Sequence, residues 1–111
     1  MNLNAQHILD NLEKITAVYQ VARHGSIRSA ARELKISQPS LSVKIKLLEE
    51  IFDFKIFKRS RTGIEMTNAG QILLNFAKDL IDKAEHLRYE LDHIEAMSGT
   101  INIGVYDSIA R

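Results

Sequence analysis

The sequence holds no cysteine and no tryptophan, and a single proline among 111 residues. Without cysteine neither a disulfide framework nor a thiolate metal site can form, which fits a reducing compartment and points to a cytoplasmic protein. Long apolar runs are also missing, so no segment approaches the ~20 residues that a membrane helix needs. The opening Met1-Asn2-Leu3-Asn4 lacks the charged-then-apolar order of a signal peptide, and no membrane partner is expected. There is no glycine-rich phosphate loop, no nucleophile with a partner base and no carboxylate pair in an evident pocket. His86, Glu90 and His93 come nearest to a metal motif, but one helix face supplies ligands at spacings of three or four, and the two histidines are wider apart. Neither catalysis nor a metal or cofactor is expected.

What is present is the composition of a folded chain, 45% hydrophobic and 26% charged, long enough for one small domain and an extended element. A formal net charge of +1 conceals an uneven distribution. Through Thr67, 11 basic residues stand against 7 acidic ones, whereas from Asn68 onward 4 stand against 7. A basic first part beside an acidic remainder suits a polyanionic partner for the first part alone.

Ile8, Leu12, Ile15, Tyr19 and Ala22 follow the alternating three- and four-residue steps of one helical stripe, which predicts a first amphipathic helix. Gly25 suits its C-terminus, and Ser26 can cap a short second helix whose apolar face is Ile27, Ala30, Ala31 and Leu34. In Ser37-Gln38-Pro39-Ser40 a capping serine precedes a proline tolerated only in a first turn, so a third helix starts there. Leu41, Ile45, Leu48 and Phe52 face its core. Its outward arc carries Pro39, Ser42, Val43 and Lys46, flanked by Ser40 and Lys44. Two helices joined by a short turn, the second opening with small polar groups and backed by lysines, form a helix-turn-helix over 26–45. Ile56-Phe57-Lys58 and Ile64-Glu65-Met66 read as two strands joined by the loop Arg59 to Gly63, a wing over 56–66 bearing two arginines.

Thr67 can cap a last helix over 68–97, uninterrupted by glycine or proline from Gln71 to Met97. Its positions Leu73, Ala77, Leu80, Ala84, Leu87, Leu91 and Ile94 repeat as the seam of a two-helix coiled coil, which predicts a homodimer through this helix. Beyond it, Ile101, Ile103 and Val105 alternate as a strand would, and 98–111 is read as the first strand of a further domain. The fold class is thus mainly α: a winged helix-turn-helix over 8–67, three helices and a two-stranded wing, followed by a long dimerising helix.

From Leu12 to Gly70 the chain resembles the DNA-binding domain of the LysR-type transcriptional regulators of bacteria. The resemblance rests on Gly25-Ser26, Ala30-Ala31, Leu34, Ser37-Gln38-Pro39, Leu41-Ser42, Ile45, Leu48-Glu49, Phe57-Lys58-Arg59, and Thr67 with Ala69-Gly70. Gly99-Thr100-Ile101-Asn102-Ile103-Gly104 is similar to the opening of that family's effector-binding domain. The resemblance implies a sequence-specific regulator that binds an inverted-repeat operator as a dimer, with tetramers in full-length forms. It also implies a small-molecule effector, which would bind only where the second domain is present. Ile15 and Ile27 stand where the family often has Phe, and Val43 where many members read a base with Arg. Arg61 lies one position before the usual wing arginine, with Thr62 in its place, so no particular base preference carries over. These two departures motivate an alternative, a winged helix that serves protein interaction and no longer reads DNA.

In the DNA reading the third helix enters the major groove, and only its first turns reach base edges. Gln38 can pair with adenine, Ser40 and Ser42 can meet bases or phosphates, and Pro39 and Val43 can pack on a thymine methyl. Arg28, Lys44, Lys46, Arg59 and Arg61 suit phosphates, as do Ser26 and Ser37 at helix starts.

Overall fold

A computed structural model describes residues 3–98. Its elements are α1 (Ala5–Leu9), α2 (Leu12–His24), α3 (Ile27–Leu34), α4 (Gln38–Phe52), β1 (Phe57–Ser60), β2 (Gly63–Met66) and α5 (Asn68–Ser98). The expected strand at 101–105 lies outside the described residues. The chain divides into one unit through Leu80 and a second from Ile81.

Where one helix was expected from Ile8 to Ala22, the structure has two. Asn11 leaves helical geometry at φ −122° and ψ 22°, and its side-chain amide donates to the His7 carbonyl at 2.7 Å. A short side chain that satisfies the preceding turn's carbonyl offers the backbone an alternative to continued helix. The apolar stripe survives the break, because Ile8 and Leu12 both pack against the core.

Capping sets the later boundaries. Ser26 accepts from the Ser29 N–H at 3.0 Å and Ser37 from the Ser40 N–H at 3.1 Å, so α3 and α4 begin where the serines predict. Gly25 takes the left-handed conformation, φ 73°, that ends α2. Neither α3 nor α4 ends on glycine. Lys35 and Asp53 adopt φ near 60° instead, at a cost of roughly 1–2 kcal/mol each that the surrounding packing must offset.

The core of the first unit gathers Ile15, Val18 and Val21 from α2, Ala30 and Ala31 from α3, and Leu41, Ile45, Leu48 and Phe52 from α4. Each large member contributes roughly 1.5–3 kcal/mol by leaving water. The two alanines are fully enclosed, and their small size lets α3 approach α2 and α4 closely. Ile56 carries the core toward the antiparallel hairpin, paired Phe57↔Met66, Lys58↔Glu65, Arg59↔Ile64 and Ser60↔Gly63. The strands are longer and the loop shorter than expected: Arg59 belongs to β1, and only Arg61 and Thr62 form the tip. Neither tip residue has positive φ, so the tight bend falls on Gly63 at φ 128°.

α5 starts at a dense junction. The Thr67 hydroxyl accepts from the Gly70 N–H at 2.9 Å and donates to the Lys55 carbonyl, while the Thr67 N–H reaches the Ile56 carbonyl at 3.0 Å. A Cβ on Gly70 would lie 2.1 Å from that same Ile56 oxygen, so only glycine permits the approach.

Packing at this end of α5 corrects the predicted seam. Leu73 and Ala77 are buried within the first unit's own core, at 7% and 0% exposure, and are not open to a second chain. Ile72 and Phe76, off the predicted register, are the exposed apolar residues there. Leu80 is half-buried. In the second unit Ala84, Leu87, Leu91 and Ile94 are exposed. Arg88 there bonds to Glu85 at 3.2 Å and Asp92 at 3.1 Å. His86 pairs with Glu90 at 3.4 Å and His93 stacks on Tyr89, so these histidines serve local surface contacts.

Candidate nucleic-acid interface

α4 turns one face inward through Leu41, Ile45 and Leu48, and 3.6 residues per turn then fix what faces out. Gln38, Ser42 and Lys46, at successive steps of four, line one flank. Pro39 and Val43 occupy the outermost arc, both exposed. Lys44, two positions from both Ser42 and Lys46, falls on the opposite flank. The stretch from Ser37 to Lys46 is therefore open to solvent except at its two core residues, Leu41 and Ile45, with Lys44 half-covered.

Beside the Gln38-Ser42-Lys46 flank lies a cleft of about 700 Å³, walled by the start of α3 and by the hairpin. A Cβ at Gly63 would lie 3.9 Å from the Gly25 carbonyl oxygen, so the hairpin tip stands beside the α2–α3 turn. Ile27, Ile45, Phe57 and Ile64 give the cleft apolar walls. Six basic side chains line it, Arg28, Lys46, Lys55, Lys58, Arg59 and Arg61, against one carboxylate, Glu49. That carboxylate is already committed, because it accepts from the Ile56 N–H at 2.8 Å and lies 3.8 Å from Lys55 Nζ. Glu49 thereby fixes the turn leading into β1. Among the described residues Arg28, Lys46, Arg59 and Arg61 have no ion-pair partner. Uncompensated positive charge in a concave wall raises the local concentration of anions.

The sequence-predicted residues separate by task. Ser26, Arg28, Gln38, Ser42, Lys46, Arg59 and Arg61 converge on the cleft. Pro39, Ser40 and Val43 do not line it but stand on α4's outward surface. Ser37 is occupied by its cap: its hydroxyl accepts from the Ser40 N–H and donates to the Ser40 hydroxyl at 2.8 Å. The Gln38 side chain makes no hydrogen bond within the described residues, leaving its amide free for an outside partner. Lys44 is tied to Glu13 at 2.8 Å. Two basic residues of the cleft were absent from the expected set, Lys55 and Lys58. The basic run Lys55, Lys58, Arg59, Arg61 was the signal that held them, diluted by the apolar residues between.

Among the described residues no group of three or more His, Asp or Glu could hold a metal ion, and no helix is long and apolar enough to cross a membrane.

Residues 12–71 match the bacterial regulatory helix-turn-helix proteins of the lysR family. An uncharacterised HTH-type transcriptional regulator of Bacillus subtilis, YkuM, is 32% identical over 101 residues, covering 90% of this chain and 34% of that protein. The chain thus spans about a third of the length of the curated relatives it matches. Among solved structures, the BenM DNA-binding domain in complex with the catB site 1 DNA superposes with a TM-score of 0.69 at 25% identity, over 75% of this chain and 93% of that one. The complex of the CbnR DNA-binding domain with DNA gives a TM-score of 0.63 at 28% identity, over 78% and 97% of the two chains.

Proposed function

Because the chain belongs to the LysR family of bacterial regulatory helix-turn-helix proteins, we propose that it binds double-stranded DNA in a sequence-specific way and regulates transcription. The observation that carries this is the open α4 face beside a cleft with six basic residues and one committed carboxylate. That arrangement meets both needs of DNA recognition, cations for the phosphate backbone and free polar groups for base edges. α4 enters the major groove, where Gln38 makes paired hydrogen bonds to an adenine and Ser42 contacts a neighbouring base or phosphate. Pro39 and Val43 pack against thymine methyls. Arg28, Lys46, Arg59 and Arg61, with the start of α3 at Ser26, hold the phosphates on the wing side.

Two copies associate through the exposed apolar positions of α5 in the second unit, Leu87 and Leu91, supported by Ala84 and Ile94. A two-fold dimer requires an operator with matching two-fold symmetry. The role is regulation in the cytoplasm rather than catalysis. Tetramer formation and the sensing of a small effector belong to a further domain of the family's full-length members.

Footprinting on genomic fragments tests the reading. Two protected patches on one face of the duplex are expected, and Gln38→Ala should narrow the gap between operator and random DNA by roughly 1–3 kcal/mol. A chain that shifts no DNA at moderate salt refutes the reading and leaves protein interaction as the use of this fold.

A further inference from the structure

Lys44 is held more closely than any other cation on the exposed face of α4 or around the cleft, where the one other ion pair among the described residues is Lys55 with Glu49 at 3.8 Å. Its ammonium donates to Glu13 Oε1 at 2.8 Å, across 31 residues of sequence. The lysine is about two-thirds covered and the glutamate largely exposed. Glu13 stands in the first turn of α2, where the helix N-terminus favours a negative charge. The Lys44 hydrogen bond, followed by the charge of Lys44, holds the Glu13 carboxyl below its ordinary range, so it is a carboxylate at neutral pH.

Position matters as much as pairing. Lys44 sits on the flank of α4 turned away from the hairpin, whereas Lys46 faces the cleft. A major groove about 12 Å wide fits closely around a helix of about 10–12 Å, so each flank of an inserted helix lies near one phosphate strand. The hairpin flank offers that strand unpaired arginines. The opposite flank offers a lysine whose charge is already cancelled.

Resting on the DNA reading above, we infer that Glu13 is a specificity-determining residue that withholds Lys44 from the second phosphate strand. A free lysine there would strengthen binding to every sequence alike, because phosphate contacts carry no base information. Cancelling it within the fold keeps random-sequence affinity low and leaves discrimination to Gln38 and its neighbours.

The full chain and three variants are titrated by fluorescence anisotropy on a random-sequence duplex and on the footprinted fragment, between about 50 and 200 mM salt. Glu13→Gln should steepen the dependence of log K on log salt by about 0.9, a further three- to four-fold loss over that range. It should also raise low-salt affinity for the random duplex more than proportionately, shrinking the operator-to-random ratio. Lys44→Gln alone should leave the slope unchanged, and the double variant should restore it. A Lys44→Gln variant with a slope shallower by about one shows that the lysine reaches phosphate despite Glu13 and overturns the inference. Steepening that persists in the double variant also overturns it, since removal of a repulsive carboxylate then explains the gain. Absence of any DNA binding by the unsubstituted chain is a separate outcome that refutes the DNA reading and this inference with it.

Discussion

Gly70→Ala puts two physical rules in opposition, and the structure decides the sign. Helix propensity alone favours alanine over glycine by up to about 1 kcal/mol. At this position a methyl group would lie 2.1 Å from the Ile56 carbonyl oxygen and 3.0 Å from its carbonyl carbon, both backbone atoms that cannot swing aside. Forcing a methylene-sized group into a filled space costs roughly 1–3 kcal/mol. The displaced oxygen is also the acceptor for the Thr67 N–H at 3.0 Å, and loosening such a bond costs about 1 kcal/mol. After the propensity gain is set against these terms, a net loss of about 2 kcal/mol remains. For a small domain that lowers Tm by about 8–16 °C. Thermal unfolding followed by circular dichroism, at one protein concentration so that self-association does not shift the midpoint, gives the answer. An unchanged or higher Tm would mean that the junction between α5 and the hairpin is not packed as described.

Further expectations follow from the site and from α5. Arg61→Ala at the hairpin tip removes an unpaired cation with no core role, so the slope of log K against log salt should fall by about 0.9 equally on operator and random DNA; a loss confined to the operator would make Arg61 a base reader. Leu87→Asp should weaken self-association in sedimentation experiments while helicity is kept, and a dimer that survives it places the interface elsewhere. Leu73→Ala should behave in the opposite way, costing roughly 2–5 kcal/mol of fold stability by leaving a cavity in the first unit. Glu13 has a carboxyl held below its ordinary value of 4.5 by Lys44. Its pairing therefore contributes above that value and is lost as pH falls through the lower folded-state pKa. An NMR titration should show a Glu13 midpoint below 4.5 that moves back up in Lys44→Gln, and an unmoved midpoint would rule out the pair in solution.

Local chemistry in the sequence determined where most elements begin and which residues they bury. Ser26, Ser37 and Thr67 each carry a hydroxyl that one helix start requires, and the spacing of Leu41, Ile45, Leu48 and Phe52 admits one inward face of α4. The outward face then follows from helix geometry, so Pro39, Ser42, Val43 and Lys46 were readable as a group. Three features were decided only by tertiary structure, because each depends on what lies across the fold. The heptad of α5 is the same whether Leu73 and Ala77 meet a second chain or their own core, and packing in the first unit assigned them to the core. The break at Asn11 interrupts a helical stripe without disturbing its period, so only a side-chain bond to the His7 carbonyl reveals it. Lys44 reads as one more basic residue on a recognition helix until Glu13, 31 positions earlier, is found 2.8 Å away. Periodicity and capping are properties of neighbours along the chain, whereas burial and charge compensation are properties of neighbours in space.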